Sequence, residues 1–335
     1  MSLLYEREVL DPDELYLRDP AAERVTWQGR QALRFSGQGA CLALLPELLL
    51  QQGRVEVDIA AEGISYPGIV FRASDTYNYE LAYAQPHTSG KWDALQYDPV
   101  FHGSNTWQLY HGPGTQQVAQ VPVNDWFRLS VEFRGQQAIV RAGDQTPLFI
   151  HRLAHGSPSG RIGLWTYLPA YFANLRVWDD LPDFGHVSFP SAPTLPVHTP
   201  IMEWFLEGYG VVACEPGGIL NLNRYLPVSA REVRLVREIE MPEAGDFTFR
   251  IGFSDVLTLQ VDEQVIFTGE NLFHSSPNWA ERGYVSLEGQ KVSLALSQGR
   301  HRIIASLQAT EYFGFGMALK IEGGEYRLLP VQLYG

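Results

Sequence analysis

Along the C-terminal part of the chain, apolar residues fall at every second position. Phe247, Phe249, Ile251 and Phe253 interleave with Thr248 and Arg250, and Leu257, Leu259 and Val261 with Thr258, Gln260 and Asp262. Val292, Leu294 and Leu296 alternate with Ser293 and Ala295, and Phe315, Met317, Leu319 and Ile321 with Ala318 and Lys320. A period of two turns one set of side chains to a core and the other to water, which predicts half-buried antiparallel strands. The N-terminal half repeats the signal in shorter pieces bounded by Gly, Pro, Asn or Asp: 32–36, 54–59, 68–72, 77–83, 94–100, 107–110, 126–133, 137–142, 161–165 and 171–178. The apolar run 42–50 is the one helix candidate, and Pro46 interrupts it.

Between these halves, 181–200 carries prolines at 182, 190, 193, 196 and 200. Repeated proline removes backbone donors and fixes φ, so this piece is expected to lie extended between domains. The expected architecture is therefore all-β: an antiparallel sandwich over 1–180, a Pro-rich linker over 181–200, and a second sandwich over 201–335.

With 335 residues, 45% hydrophobic and 19% charged, the chain has enough apolar content for two cores. The net charge of −13 argues against nucleic acid and against an anionic membrane surface, because both are bound through clustered Lys and Arg. Cys41 and Cys214 fall in different expected domains and read as two independent thiols. The start, Met1 to Glu8, is acidic where a secretory peptide needs a positive end and an apolar run, so a cytoplasmic location is expected unless the chain is a trimmed form of a secreted one. No stretch approaches the ~20 apolar residues of a membrane helix.

Over roughly residues 30 to 178 the order of features resembles the concanavalin A-like lectin and glucanase sandwiches. The pieces that carry the likeness are Gly53-Arg54-Val55-Glu56-Val57-Asp58-Ile59, Gly68-Ile69-Val70-Phe71-Arg72, Trp126-Phe127-Arg128-Leu129-Ser130-Val131 and Gly160-Arg161-Ile162-Gly163-Leu164-Trp165, leading to Tyr171-Phe172-Ala173-Asn174-Leu175. Gly68 to Arg72 followed by Leu95-Gln96-Tyr97-Asp98 is similar to the 3-keto-disaccharide hydrolase-like branch, whose pattern has a Glu two places before the Gln, where this chain has Ala94. From about Val233 to Leu329, Gly252-Phe253-Ser254-Asp255, the hairpin from Leu259 to Phe267, and Gly299-Arg300-His301-Arg302-Ile303 before Gly314-Phe315-Gly316 resemble galactose-binding-like jelly rolls. Family members usually carry Asn-Gly or Asp-Gly at that hairpin tip, where this chain has Asp262-Glu263-Gln264. The resemblances imply a saccharide partner; with no Walker loop or dinucleotide fingerprint in the sequence, no organic cofactor is expected. A structural calcium held by carbonyls and Asp side chains is common to both folds, and no loop signature places one here.

The candidate site follows from strand parity. If Ile69 and Phe71 face the core, Arg72 faces away; the same rule makes Tyr79, Leu81, Leu95, Tyr97 and Leu109 core and turns Glu80, Gln96, Asp98, Gln108 and Tyr110 outward with it. On a concave sheet these planar polar groups would converge on sugar hydroxyls, with His87, Trp92, His102, Trp107 and His111 in adjoining loops supplying rings for stacking. Glu80 and Asp98 are the best pair for general acid and base work, which makes a glycoside hydrolase or lyase the alternative to a lectin. The plainer readings are a solvated sheet face with Arg72 paired to a carboxylate, or a groove filled by the linker or a partner chain. The run Glu56, Asp58, Glu62 begins a catalytic spacing but stretches it too far, and reads as sheet-face acids. In the second sandwich, Asn271, His274, Trp279 and Arg282 with Glu311-Tyr312-Phe313 form a candidate rim.

Overall fold

The computed structural model describes residues 2–18, 22–179, 184, 187, 189–190, 200–273 and 282–331. Its packing divides the chain into two compact units, 1–103 with 110–193, and 104–109 with 194–335. The division falls inside the expected linker, most of which lies outside the described residues. Both units are antiparallel β-sandwiches.

In the first unit one sheet runs Leu148–Ile150, Gln137–Ala142, Phe127–Arg134, Gly53–Ala60, Ala170–Trp178, Arg30–Phe35, Ala22–Trp27, with Leu3–Arg7 also paired to Ala170–Trp178. The facing seven-stranded sheet runs Gln116–Gln117, Leu95–Tyr97, Glu80–Ala84, Gly68–Ala73, Gly160–Tyr167, Ala40–Leu50, Tyr16–Arg18. Between them lie Val55, Val57, Ile59, Leu129, Val131 and Phe133 from one side and Ile69, Phe71, Leu95 and Tyr97 from the other. The seven-stranded sheet is also covered on its outer face, where Leu42, Leu44, Val70, Tyr79, Leu81, Tyr83 and Trp165 form a second buried cluster.

That double burial explains one error of element type. The run expected to be helical is the strand Ala40–Leu50, apolar throughout because both its faces are covered over much of its length. Pro46 sits where the register with Gly160–Tyr167 shifts, between the pairs Gly163↔Leu44 and Arg161↔Leu49, so its missing donor breaks no ladder bond. Residues 107–110, expected to be a strand, form a turn instead.

The second unit has a sheet ordered Gly210–Ala213, Glu203–Leu206, Glu232–Met241, Gly299–Gln308, Asp255–Val261, Gln264–Asn271, and a facing sheet ordered Leu220–Asn221, Gly316–Glu322, Gly245–Phe253, Gln290–Leu296. Phe247, Phe249, Ile251, Phe253, Leu257, Leu259, Met317 and Leu319 meet in its core, as the alternation requires. The hairpin joining Asp255–Val261 to Gln264–Asn271 turns on Asp262 and Glu263, both left-handed (φ 49° and 69°). Two left-handed residues give a turn whose twist matches the strands, a role that glycine usually fills. Here the Asp262 carboxylate holds the bend by accepting from the Arg302 amide at 2.8 Å and from His301 Nδ1 at 2.5 Å.

Candidate functional site

The six residues expected to share one sheet surface are distributed over three environments. Arg72 adopts a left-handed backbone (φ 49°), and the register beside it shifts between Arg161↔Ala73 and Gly163↔Val70. The bulge turns its side chain inward. The guanidinium is 2% exposed, its Cζ lies 5.4 Å from the Phe133 ring centroid, and Nη2 donates to the Gln51 carbonyl at 2.8 Å.

Glu80 also points between the sheets. It pairs with Phe71 across the ladder, so it shares the core face; Tyr79 and Leu81, expected inside, take the outer face together with Tyr83. The Glu80 carboxylate accepts from the Tyr97 hydroxyl at 2.6 Å and from the His155 amide at 2.8 Å, while the Tyr97 oxygen accepts from the Ala154 amide at 2.7 Å. Burial pulls Arg72 below its ordinary pKa, with Glu80 and Tyr97 opposing, and burial followed by Glu80 pushes the Tyr97 phenol far up. This cluster is a charge held inside the sandwich by fixed partners. Tyr110 stays on the same side, half-buried against the core with its ring centroid 6.1 Å from that of Tyr97.

Gln96 and Asp98 lie on the opposite face. Gln96 pairs with Tyr83 and Gln116, and its Oε1 accepts from Gln85 Nε2 at 3.3 Å. Asp98 is fully buried and interacts electrostatically with Tyr79, whose phenol is raised mainly by burial. The proposed acid and base, Glu80 and Asp98, therefore look in opposite directions and cannot flank one bond. His102 is exposed in a left-handed turn, with its amide on Asn78 Oδ1 at 3.0 Å, and Trp92 is half-buried in a loop.

Gln108 belongs to the second unit. Its Nε2 donates to Glu311 Oε2 at 3.1 Å and to the Arg282 carbonyl at 3.3 Å, and its backbone bonds to Phe313 and Val285. Beside it, Trp107 packs among Phe273, Tyr284 and Phe313, with centroids 5.3 to 5.7 Å away. The candidate rim of that unit thus adjoins a half-buried ring cluster around Trp107, with Tyr312 exposed beside it; its His274 and Trp279 lie outside the described residues.

The acids at 56 and 58 are sheet-face acids, and Glu62 lies in the bend beyond the end of their strand. Asp58 accepts from Arg30 at 2.6 Å, Arg128 at 2.8 Å and Asn174 at 2.8 Å. Glu56 pairs with Arg54. Glu62 accepts from the Tyr171 hydroxyl at 2.7 Å and Trp27 Nε1 at 3.2 Å. Among the described residues no three His, Cys, Asp or Glu side chains are placed to hold a metal ion. Among them, too, no helix is long and apolar enough to cross a membrane.

What the outer face of the seven-stranded sheet does assemble is a group of rings at one end. Trp165, Gly68 and Tyr83 occupy neighbouring strands in register, and the two rings meet at 5.7 Å across the glycine. A Cβ on Gly68 would approach the Ala82 carbonyl oxygen to 2.5 Å, so the strands close up only with glycine there. Tyr66, in the loop that precedes, lies edge-on to Tyr83 at 6.0 Å, His87 at 4.9 Å and Tyr167 at 5.9 Å. Tyr167 is 42% exposed, and Tyr66 and His87 are half-buried. The side-chain carbonyl and amide groups of Gln85 and Gln96 adjoin the buried end of this group. Sequence reasoning gathered His87 but not Tyr66, Trp165 and Tyr167; the signal was the alternation of Gly163, Trp165 and Tyr167 against Ile162 and Leu164 in one strand.

No family model matches the sequence, and none of the curated proteins does. Among solved structures, the chain is similar to a carbohydrate binding module, CBM66, from Bacillus subtilis, with 17% identity, a TM-score of 0.37, and coverage of 46% of this chain and 89% of that one. It is also similar to a Bacillus subtilis protein of unknown function with a galectin-like fold, with 10% identity, a TM-score of 0.41, and coverage of 53% and 96%. A third is the Bacillus licheniformis beta-glucanase, with 7% identity, a TM-score of 0.36, and coverage of 52% and 98%.

Proposed function

We propose that the chain is a saccharide-binding protein whose first unit takes its ligand at the ring-bearing end of the seven-stranded sheet. The observation that carries this reading is the cluster of Tyr66, His87 and Tyr167 over Tyr83 and Trp165, with an exposed phenol at its margin. A sugar ring presents C–H faces that pack on aromatic rings and hydroxyls that seek amide, imidazole and phenol partners, and this margin offers both kinds. Trp92 and Gln96, from the same part of the unit, extend the polar and aromatic supply. Binding rather than cleavage is favoured, because Glu80 and Asp98 face opposite sides of their sheet.

Tyr167→Ala and His87→Ala are expected to weaken binding of a responsive glycan by about two- to tenfold each, since a stacked ring contributes roughly 0.5–1.5 kcal/mol beyond its area. The measurement is a glycan array followed by titration calorimetry, with melting temperature as the control. Unchanged affinity in both folded variants would exclude this surface.

A further inference from the structure

The second unit carries an open groove of about 580 Å³ on the outer face of its larger sheet. Its polar lining comes from Glu207, Glu232, Arg234, Thr258, Ser306 and Gln308. The ladder brings these together: Glu232 pairs with Gln308, Arg234 with Ser306, and Ser306 in turn with Thr258. The intervening residues Leu235, Leu257 and Leu307 point into the core, so alternation alone accounts for a polar outer face. It does not account for a groove. That shape comes from a wall made by Leu226 and Ala230, which follow the turn Leu222–Arg224, and from Glu207 at the end of Glu203–Leu206. The volume falls within the range of small-molecule sites, roughly 300–1,000 Å³.

The lining specifies the ligand's chemistry. Two hydroxyls, one amide, one guanidinium and two carboxylates are suited to a molecule that both donates and accepts along its length. Arg234 Nη1 lies 3.4 Å from Glu207 Oε1, and both side chains remain accessible from the groove. Among the described residues no aromatic ring lines the groove, so recognition here rests on hydrogen bonds, unlike the first unit. Two carboxylates against one guanidinium leave the lining acidic, on a chain of net charge −13, which disfavours uronic or sulfated sugars. We infer that this groove is a second, separate binding site for a neutral linear oligosaccharide. Its ligand class rests on the saccharide reading of the first unit, while its position and its residues do not.

The test is titration calorimetry of the full chain with neutral hexasaccharides (cello-, laminari-, xylo- and manno-hexaose), with hexagalacturonate as the acidic counterpart. The variants are Arg234→Ala with Gln308→Ala, and separately Tyr167→Ala. The expected result is two binding events, of which the groove variant loses one by at least about tenfold and Tyr167→Ala weakens the other, with melting temperatures unchanged. A single event abolished by Tyr167→Ala and untouched in the groove variant overturns the groove and leaves the first site standing. An event lost only in the groove variant does the reverse. No heat with any neutral sugar overturns both, and hexagalacturonate binding as tightly as its neutral counterparts overturns the charge argument.

Discussion

Arg72 and Asp98 occupy opposite faces of the same sheet, the first over Phe133 inside the sandwich and the second beside Tyr79 outside it. A buried guanidinium that sits by Glu80 and bonds to a backbone carbonyl is a structural element of the fold. Arg72→Ala is therefore expected to cost stability, about 1–3 kcal/mol, because it removes a buried side chain packed on Phe133 and leaves the Gln51 carbonyl without its donor. Glycan affinity of the folded fraction is expected to be unchanged. Denaturant unfolding and calorimetric titration on the same preparation measure the two quantities, and a variant of normal stability that has lost binding would return Arg72 to the ligand.

Trp107 is half-buried among Phe273, Tyr284 and Phe313. Replacing it by Ala removes a large ring from a partly exposed cluster, and the cost is expected to be about 1–3 kcal/mol, below that of a fully buried ring. The loss should appear in the unfolding of the unit made of 104–109 and 194–335. A change below about 1 kcal/mol would mean that the ring is peripheral to the cluster.

Cys41 and Cys214 are both free thiols, the first buried and the second half-buried. Burial, followed by Glu215 and Glu203, pushes the Cys214 thiol up to about 12. At mildly alkaline pH almost none of it is thiolate, so a disulfide reagent such as DTNB is expected to leave both cysteines unmodified in the native chain and to react with both after denaturation. Rapid labelling of Cys214 in the native state would contradict its burial.

The strands of the second unit were legible because their outer faces are wet: in Asp255–Val261, Val256, Thr258 and Gln260 are half-buried while Leu257, Leu259 and Val261 are buried. In the first unit the same rule lost its meaning. Every residue of Gly68–Ala73 and of Glu80–Ala84 is buried, so period two still marks two faces but no longer says which is inner. The larger side chains Leu81 and Tyr83 cover the outside, leaving the inner face to Ala82, Ala84 and Glu80. The left-handed turn at Arg72 had no glycine to announce it. Residues 107–110 alternate like a strand, yet their partners lie about 170 to 200 positions away, at Arg282, Val285, Glu311 and Phe313, a distance local pattern does not bridge.

Asp58 gives an acid-side prediction with a definite sign. Burial alone would raise its carboxyl, but the bonds from Arg128, Arg30 and Asn174 outweigh that and hold it below the ordinary value of 3.8. A carboxyl whose pKa is lower folded than unfolded contributes stability that is complete above the unfolded value and is lost as pH falls through the folded one. Asp58→Asn is therefore expected to cost about 2 kcal/mol near neutral pH, since bonds between charged groups are worth roughly 1.5–3 kcal/mol and Arg128 is partly screened by solvent. The gap between wild type and variant should stay level down to about pH 5 and narrow below about pH 4 as the wild-type carboxyl protonates. Urea melts of both proteins across that range measure it; a gap that widens on acidification would show that the three partners do not stabilise the ionised form.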